Sequence, residues 1–132
     1  VYLVDASSET LVLRAATSPG GRRLLRRGFR LGLDGTSLVV VAAARDGEAK
    51  VAQDVTSDPL FLKTPQLLTI GSAGAIPLKA GQRTIGVLYV QCGETDRLNP
   101  QIVDLLHTLG DQMAVGFRNA QLYGWASQPG AA

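Results

Sequence analysis

The side chains able to do chemistry in this chain are few. Cys92 is its one cysteine and His107 its one histidine. A nucleophilic side chain needs a general base paired with it. A metal site needs several ligands at close spacing. Neither arrangement is present, so no catalytic residue and no metal ligand is assigned. Cys92 closes a strand-like run and reads as a small buried apolar residue. His107 lies beside the apolar stripe of a helical pattern, with no carboxylate pair near it in sequence. A haem or general-base role is conceivable there, and a surface or interface position is preferred. Asp54 and Asp58 offer more. Either carboxylate could accept hydrogen bonds from a ligand, or serve locally, Asp54 as a turn former and Asp58 as a helix N-cap. The local roles are preferred.

Charge is distributed unevenly. The 132 residues carry a formal net charge of +2, yet five of the 13 basic residues (Arg22, Arg23, Arg26, Arg27 and Arg30) crowd into Gly20–Arg30. The remaining 8 face 11 acids. An anion or nucleic-acid patch is one reading. The other is a solvated connection with Leu24, Leu25 and Phe29 packed inward. The second is preferred, because no interleaved aromatics or nucleic-acid module accompany the cluster. No nucleic-acid partner is expected.

Such residues must be positioned by an ordinary globular fold, since 45% hydrophobic and 18% charged content excludes disordered and fibrous classes. No apolar run approaches the roughly 20 residues needed to cross a bilayer, so no membrane contact is expected of this segment. Cysteine usage suits the cytoplasm. Val1 lies inside a strand-like run without an initiator Met, and the expectation is a piece of a longer chain.

Val1–Asp5 and Thr10–Ala16 read as a hairpin. Thr36 or Ser37 could cap a helix through Leu38–Arg45, although Val39–Val41 would suit a strand equally. Lys50–Gln53 reads as a short strand, and Ser57, Asp58 and Pro59 suggest the start of a helical turn carrying Leu60, Phe61 and Leu62. Ser72–Leu78 and Thr84–Gln91 read as a second hairpin. In its second arm Ile85, Val87 and Tyr89 form one row and Gly86, Leu88 and Val90 the other. Both rows are apolar or small, so both faces must be covered. Asn99 as N-cap and Pro100 at the first position open the clearest helix, with Ile102, Leu106, Leu109, Met113 and Phe117 recurring to about Tyr123. Residues 1–123 then form one α+β domain, an antiparallel sheet of five to six strands with helices on both faces. Residues 124–132 read as a linker or tail.

Three segments in this order resemble the GAF family: Val51–Phe61 its V-x-x-DV-x-x-DP-x-F segment, Ser72–Gln91 its PL hairpin returning as a GVL-x-V strand, and Leu106–Tyr123 its closing helix. The resemblance spans residues 1–123 and implies a GAF/PAS-like fold whose N-terminal helix is missing from this fragment. Gly71 stands where many relatives carry an arginine.

The resemblance implies a sensory or regulatory module. It would bind an unidentified small ligand or partner between the sheet and the middle helices and relay the event through its terminal helices. Its output domain would be covalently linked, as in a histidine kinase, cyclase or transcription regulator. It implies ligand-binding candidates Asp54, Asp58, Phe61, Ser72 and Gly74. The cyclic-nucleotide signature is absent, Cys92 is poorly placed to attach a bilin, and one cysteine cannot run the sulfoxide-reductase cycle. The ligand and any cofactor stay unassigned, and the chain reads as a non-enzyme. The wide apolar surface of the last helix, with small Gly116, suggests a homodimer contact at Leu105, Leu109, Met113 and Gly116. A ligand-free dimerisation scaffold is the alternative.

Overall fold

A computed structural model describes residues 1–5, 7–33, 39–59 and 70–127, with side chains of the last helix described up to residue 120. Chain order is β1 (Tyr2–Asp5), β2 (Thr10–Leu13), α1 (Pro19–Arg26), β3 (Arg30–Gly32), α2 (Val39–Asp46), β4 (Lys50–Ala52), a 3-10 turn (Val55–Ser57), β5 (Ser72–Ala80), β6 (Arg83–Cys92) and α3 (Pro100–Ser127). The six strands make one sheet in the order β3-β2-β1-β6-β5-β4, with every pairing antiparallel.

The expected α+β sandwich is what the chain forms. Two pieces of the arginine-rich connection were not foreseen. Pro19–Arg26 is helical rather than a bare link: the Ser18 hydroxyl accepts the Gly21 N–H at 3.0 Å and Pro19 opens the first turn. Gly20 and Gly21 disguise this helix, since glycine is a poor helix former. Arg30–Gly32 then adds a short edge strand beside β2. At the other end α3 runs four residues past Tyr123, to Ser127. Asn99 caps it as expected, its side-chain oxygen accepting the Ile102 N–H at 2.9 Å. The expected caps Thr36 and Ser37, and Leu60, Phe61 and Leu62, lie outside the described residues.

The alternating rows divide the sheet into two surfaces. Tyr2, Leu11, Leu13, Ala75 and Val87 belong to one core cluster with Val39, Val41 and Ala43 of α2, and Leu24 and Leu25 of α1 pack against it. This is the upper face. Ile76 and Leu78 point the other way, beneath Gly110 of α3, where a Cβ would lie 3.1 Å from Leu78 Cδ2 and 3.8 Å from Ile76 Cγ2. β5 is therefore roofed on both sides, and Ser72 to Leu78 are all buried. Its proline fits the same geometry. β4 pairs only as far as Ala75, so Pro77 lies where β5 has one neighbouring strand and the ladder can spare a donor.

Toward β3 the lower face turns polar. Leu3 shares a row with Val12, and their neighbours on this side are Asp5, Thr10 and Arg30. Arg30 pairs with Asp5 at 3.4 Å. Hydrogen bonds from Ser7 and Ser8, with Arg30 adding to them, bring the Asp5 carboxyl down to about 2.

Candidate functional site

The sequence candidates collect at one end of the sheet, where β4 leaves and β5 begins. Asp54 sits just after β4 in extended backbone and caps the 3-10 turn. Its carboxylate accepts the Thr56 N–H at 3.0 Å and the Thr56 hydroxyl at 2.6 Å. Those two bonds, the hydroxyl first, hold its carboxyl below the usual range. The turn is tied down by Val55 N–H donating to Gly71 O at 2.9 Å, and Val55 is buried in the upper core. Asp58 closes the turn through its own N–H to Val55 O at 3.5 Å and is half-buried. Pro59 already has helical conformation, as its position after Asp58 suggested. Phe61 lies outside the described residues.

Ser72 and its neighbours make a knot. The Ser72 hydroxyl is fully buried and donates to Glu94 O at 2.8 Å, which pins the loop between β6 and α3. Gly71 donates to Cys92 O at 2.9 Å. A Cβ on Gly71 would fall 2.3 Å from the Glu94 carbonyl carbon and 2.5 Å from Thr95 N. No side chain fits there, so the arginine of relatives has no equivalent in this backbone. Close by, the Gln53 amide donates to Leu98 O, and Asp96 N–H returns to Gln53 O at 2.9 Å.

Gly74 departs from the expected pocket. Its absent side chain faces Leu98, whose Cδ1 would be 3.3 Å from a Cβ, and Val51 Cγ2 at 3.6 Å. That is the lower face. Gly74 therefore stands across the sheet from α2, because its position in β5 has the parity of Ile76 and Leu78. The structure brings Asp54, Asp58 and Ser72 to one end of the sheet, each with local work, and puts Gly74 on the opposite side from the middle helix.

The upper face carries two phenols, Tyr2 and Tyr89, that belong to no sequence motif. Tyr2 faces Val87 across the β1–β6 ladder, with Tyr89 two residues further along β6. Tyr2 meets Phe29 edge to face at a centroid distance of 6.5 Å. Burial, with Tyr89 beside it, pushes the Tyr2 hydroxyl up to about 12. Burial also raises Tyr89, opposed by the Gln91 side chain, although no hydrogen bond of good geometry reaches the buried Tyr89 oxygen among the described residues. The shared row of Ile85, Val87 and Tyr89 was the signal available in the sequence.

The dimer candidates lie on α3. Leu105 is 67% exposed and Leu109 46%, with Gly116 open to solvent and Met113 half-buried. His107 and Cys92 are half-buried. Among the described residues no group of three His, Cys, Asp or Glu side chains could hold a metal, and no helix is long and apolar enough to cross a membrane.

An antiparallel sheet between helices, with one end knotted by loops, defines a domain of the α+β class. The chain belongs to the GAF-domain family, whose profile matches residues 1–118. Its backbone is similar to the GAF domain of a phosphoenolpyruvate-protein phosphotransferase from Coxiella burnetii (TM-score 0.76, 16% identity, 93% of this chain and 72% of that one). It is also similar to a free methionine-R-sulfoxide reductase from Neisseria meningitidis solved with its substrate (TM-score 0.70, 22% identity, 92% of this chain and 67% of that one). A tRNA (pseudouridine(54)-N(1))-methyltransferase from Halobacterium salinarum is 39% identical over 59 residues, which is 45% of this chain and 30% of that protein. The chain thus spans under a third of the length of that curated relative.

Proposed function

We propose that this GAF domain is a sensory or regulatory module of a larger signalling protein, cytoplasmic and not itself an enzyme. It binds a small molecule or partner on the upper face and relays the event through α3. The observation that carries the reading is β5. Ala73 and Ala75 face the α2 core, while Gly74, Ile76 and Leu78 face Leu98 and α3. A strand buried on both sides in close-packed surroundings cannot shift on one face without disturbing the other. A ligand that favours one packing of the upper face then biases α3. The polar end of the proposed site is Asp54 and Asp58, which stand together around the 3-10 turn.

Free methionine sulfoxide reductases share this backbone, but Cys92 has no second thiol in the chain with which to resolve an intermediate. The second reading, a dimerisation scaffold without a ligand, is favoured by the exposed Leu105 and Leu109.

Native mass spectrometry of the purified protein tests the choice, followed by hydrogen exchange on α3 before and after the retained molecule is stripped. A retained small molecule whose removal changes exchange around Gly110 supports sensing. A protein that carries nothing, dimerises, and shows unaltered α3 exchange overturns it in favour of the scaffold.

A further inference from the structure

Three arginines of α1 and a fourth at its C-cap, Arg27, have no part in the proposed sensing. Leu24 and Leu25 turn inward against the upper core, which leaves Arg22, Arg23, Arg26 and Arg27 exposed on the outer side. Arg22 and Arg26 are four residues apart, as are Arg23 and Arg27, so they form two adjoining rows on the helix surface. None has a salt-bridge partner among the described residues, whose ion pairs are Arg30–Asp5, Lys50 with Asp46 and Glu48, and Arg97–Glu94. Like charges at this spacing oppose helix formation. Arg23 and Arg26 lie in the last turn and Arg27 at the C-cap, where the helix dipole favours a cation. The dipole favours cations at that end, but four of them crowd together and repel, with no ion-pair partner among the described residues.

The geometry points to α1 as a docking surface for an acidic protein segment, one presenting carboxylates in matching rows. Guanidinium groups engage carboxylates through paired parallel hydrogen bonds, and the arginines from 22 to 27 offer a strip about 8 Å long, enough to face one to two turns of a partner helix. A membrane surface fits less well, because the apolar side that would enter the lipid is already spent on the core. A nucleic acid fits less well too, because no aromatic platform accompanies the strip.

The test uses fluorescence anisotropy with a helical peptide carrying glutamates four residues apart. An RNA duplex and vesicles containing phosphatidylserine serve as competitors. The peptide should bind, weaken as salt rises, and lose about tenfold or more in affinity with Arg22→Glu/Arg26→Glu and again with Arg23→Glu/Arg27→Glu. Circular dichroism would verify that both variants stay folded, and Arg45→Glu, on α2, should leave binding unchanged. The inference fails if the peptide does not bind at low salt, if duplex or vesicles bind more tightly than the peptide, or if folded charge-reversed variants bind like the parent.

Discussion

The two faces of the sheet are built on opposite plans. Above, short helices lay valines and alanines over a floor that is apolar across its width, and Val39, Val41, Ala43, Ala75 and Val87 have essentially no contact with solvent. Below, one long helix approaches through Gly110 and Ala114, and the sheet beyond it grades into Asp5, Thr10 and Arg30. Among the described residues the upper face is a closely packed core. The lower is a contact between a strand and a helix whose outer side still carries Leu105 and Leu109. The upper packing fixes the sheet from one side, and the lower contact leaves one side of a helix free.

The comparison breaks most visibly if β5 is not shared. Leu11→Ala empties the upper core and Leu78→Ala the lower, and both leucines are wholly buried. Each should cost about 2–5 kcal/mol, read from urea unfolding in one cooperative transition. A Leu78→Ala loss well under that range, or a separate early transition, would show that α3 is only loosely docked.

The contact below can be sharpened with two glycines of the same helix. Gly110→Val drives side-chain atoms into Leu78 and Ile76, and overpacking of this kind costs about 1–3 kcal/mol. Gly116 has nothing within 4 Å of a built Cβ, so Gly116→Ala should stabilise by about 0.5–1 kcal/mol through helix propensity. Equal effects of the two changes would contradict the one-sided packing. The cap at the knotted end comes next: Asp54→Ala removes two hydrogen bonds to Thr56 and should cost about 1 kcal/mol. Leu105→Glu with Leu109→Glu should move stability within about 0.5 kcal/mol. If the free side of α3 is a homodimer contact, the same pair abolishes the dimer in sedimentation; if it is not, the profile is unchanged.

The sandwich was legible in the sequence because two apolar rows on one strand demand two covers, and the Ser72–Gln91 run shows both. Asn99 and Pro100 announced the last helix for an equally local reason. The helix at Pro19–Arg26 was missed because four arginines and two glycines looked like a solvated link, although Ser18 and Pro19 spelled a cap. The candidate site was less readable. Asp54, Asp58 and Ser72 were found by type, but nothing local in the sequence shows that Asp54 spends its carboxylate on Thr56 or Ser72 its hydroxyl on Glu94. Strand alternation already puts Gly74 in a row with Ile76 and Leu78, but only the packing shows that this row faces Leu98 and α3 rather than α2. Tyr2 and Tyr89 belong to motifs of no kind, and only the ladder between β1 and β6 brings them together.

Those two phenols supply the finest probe of the upper face. A tyrosine loses its proton to become charged, so burial raises its pKa, and Tyr2 is pushed up to about 12 from an ordinary value of 10.0. Because the folded value exceeds the unfolded one, whatever Tyr2 contributes to stability is fully present below pH 10. It is lost as pH climbs between about 10 and 12. Neutral-pH behaviour should not register it at all. Phenolate absorbance of the three tyrosines should therefore rise in more than one step, with the late component coinciding with alkaline unfolding. Tyr2→Phe should remove most of that component, and Tyr89→Phe a smaller part of it, since burial raises both groups. A single step near 10 for all three rings would mean that Tyr2 stands in water, and with it the distinction between an upper face apolar across its width and a lower one that grades into polar residues would be lost.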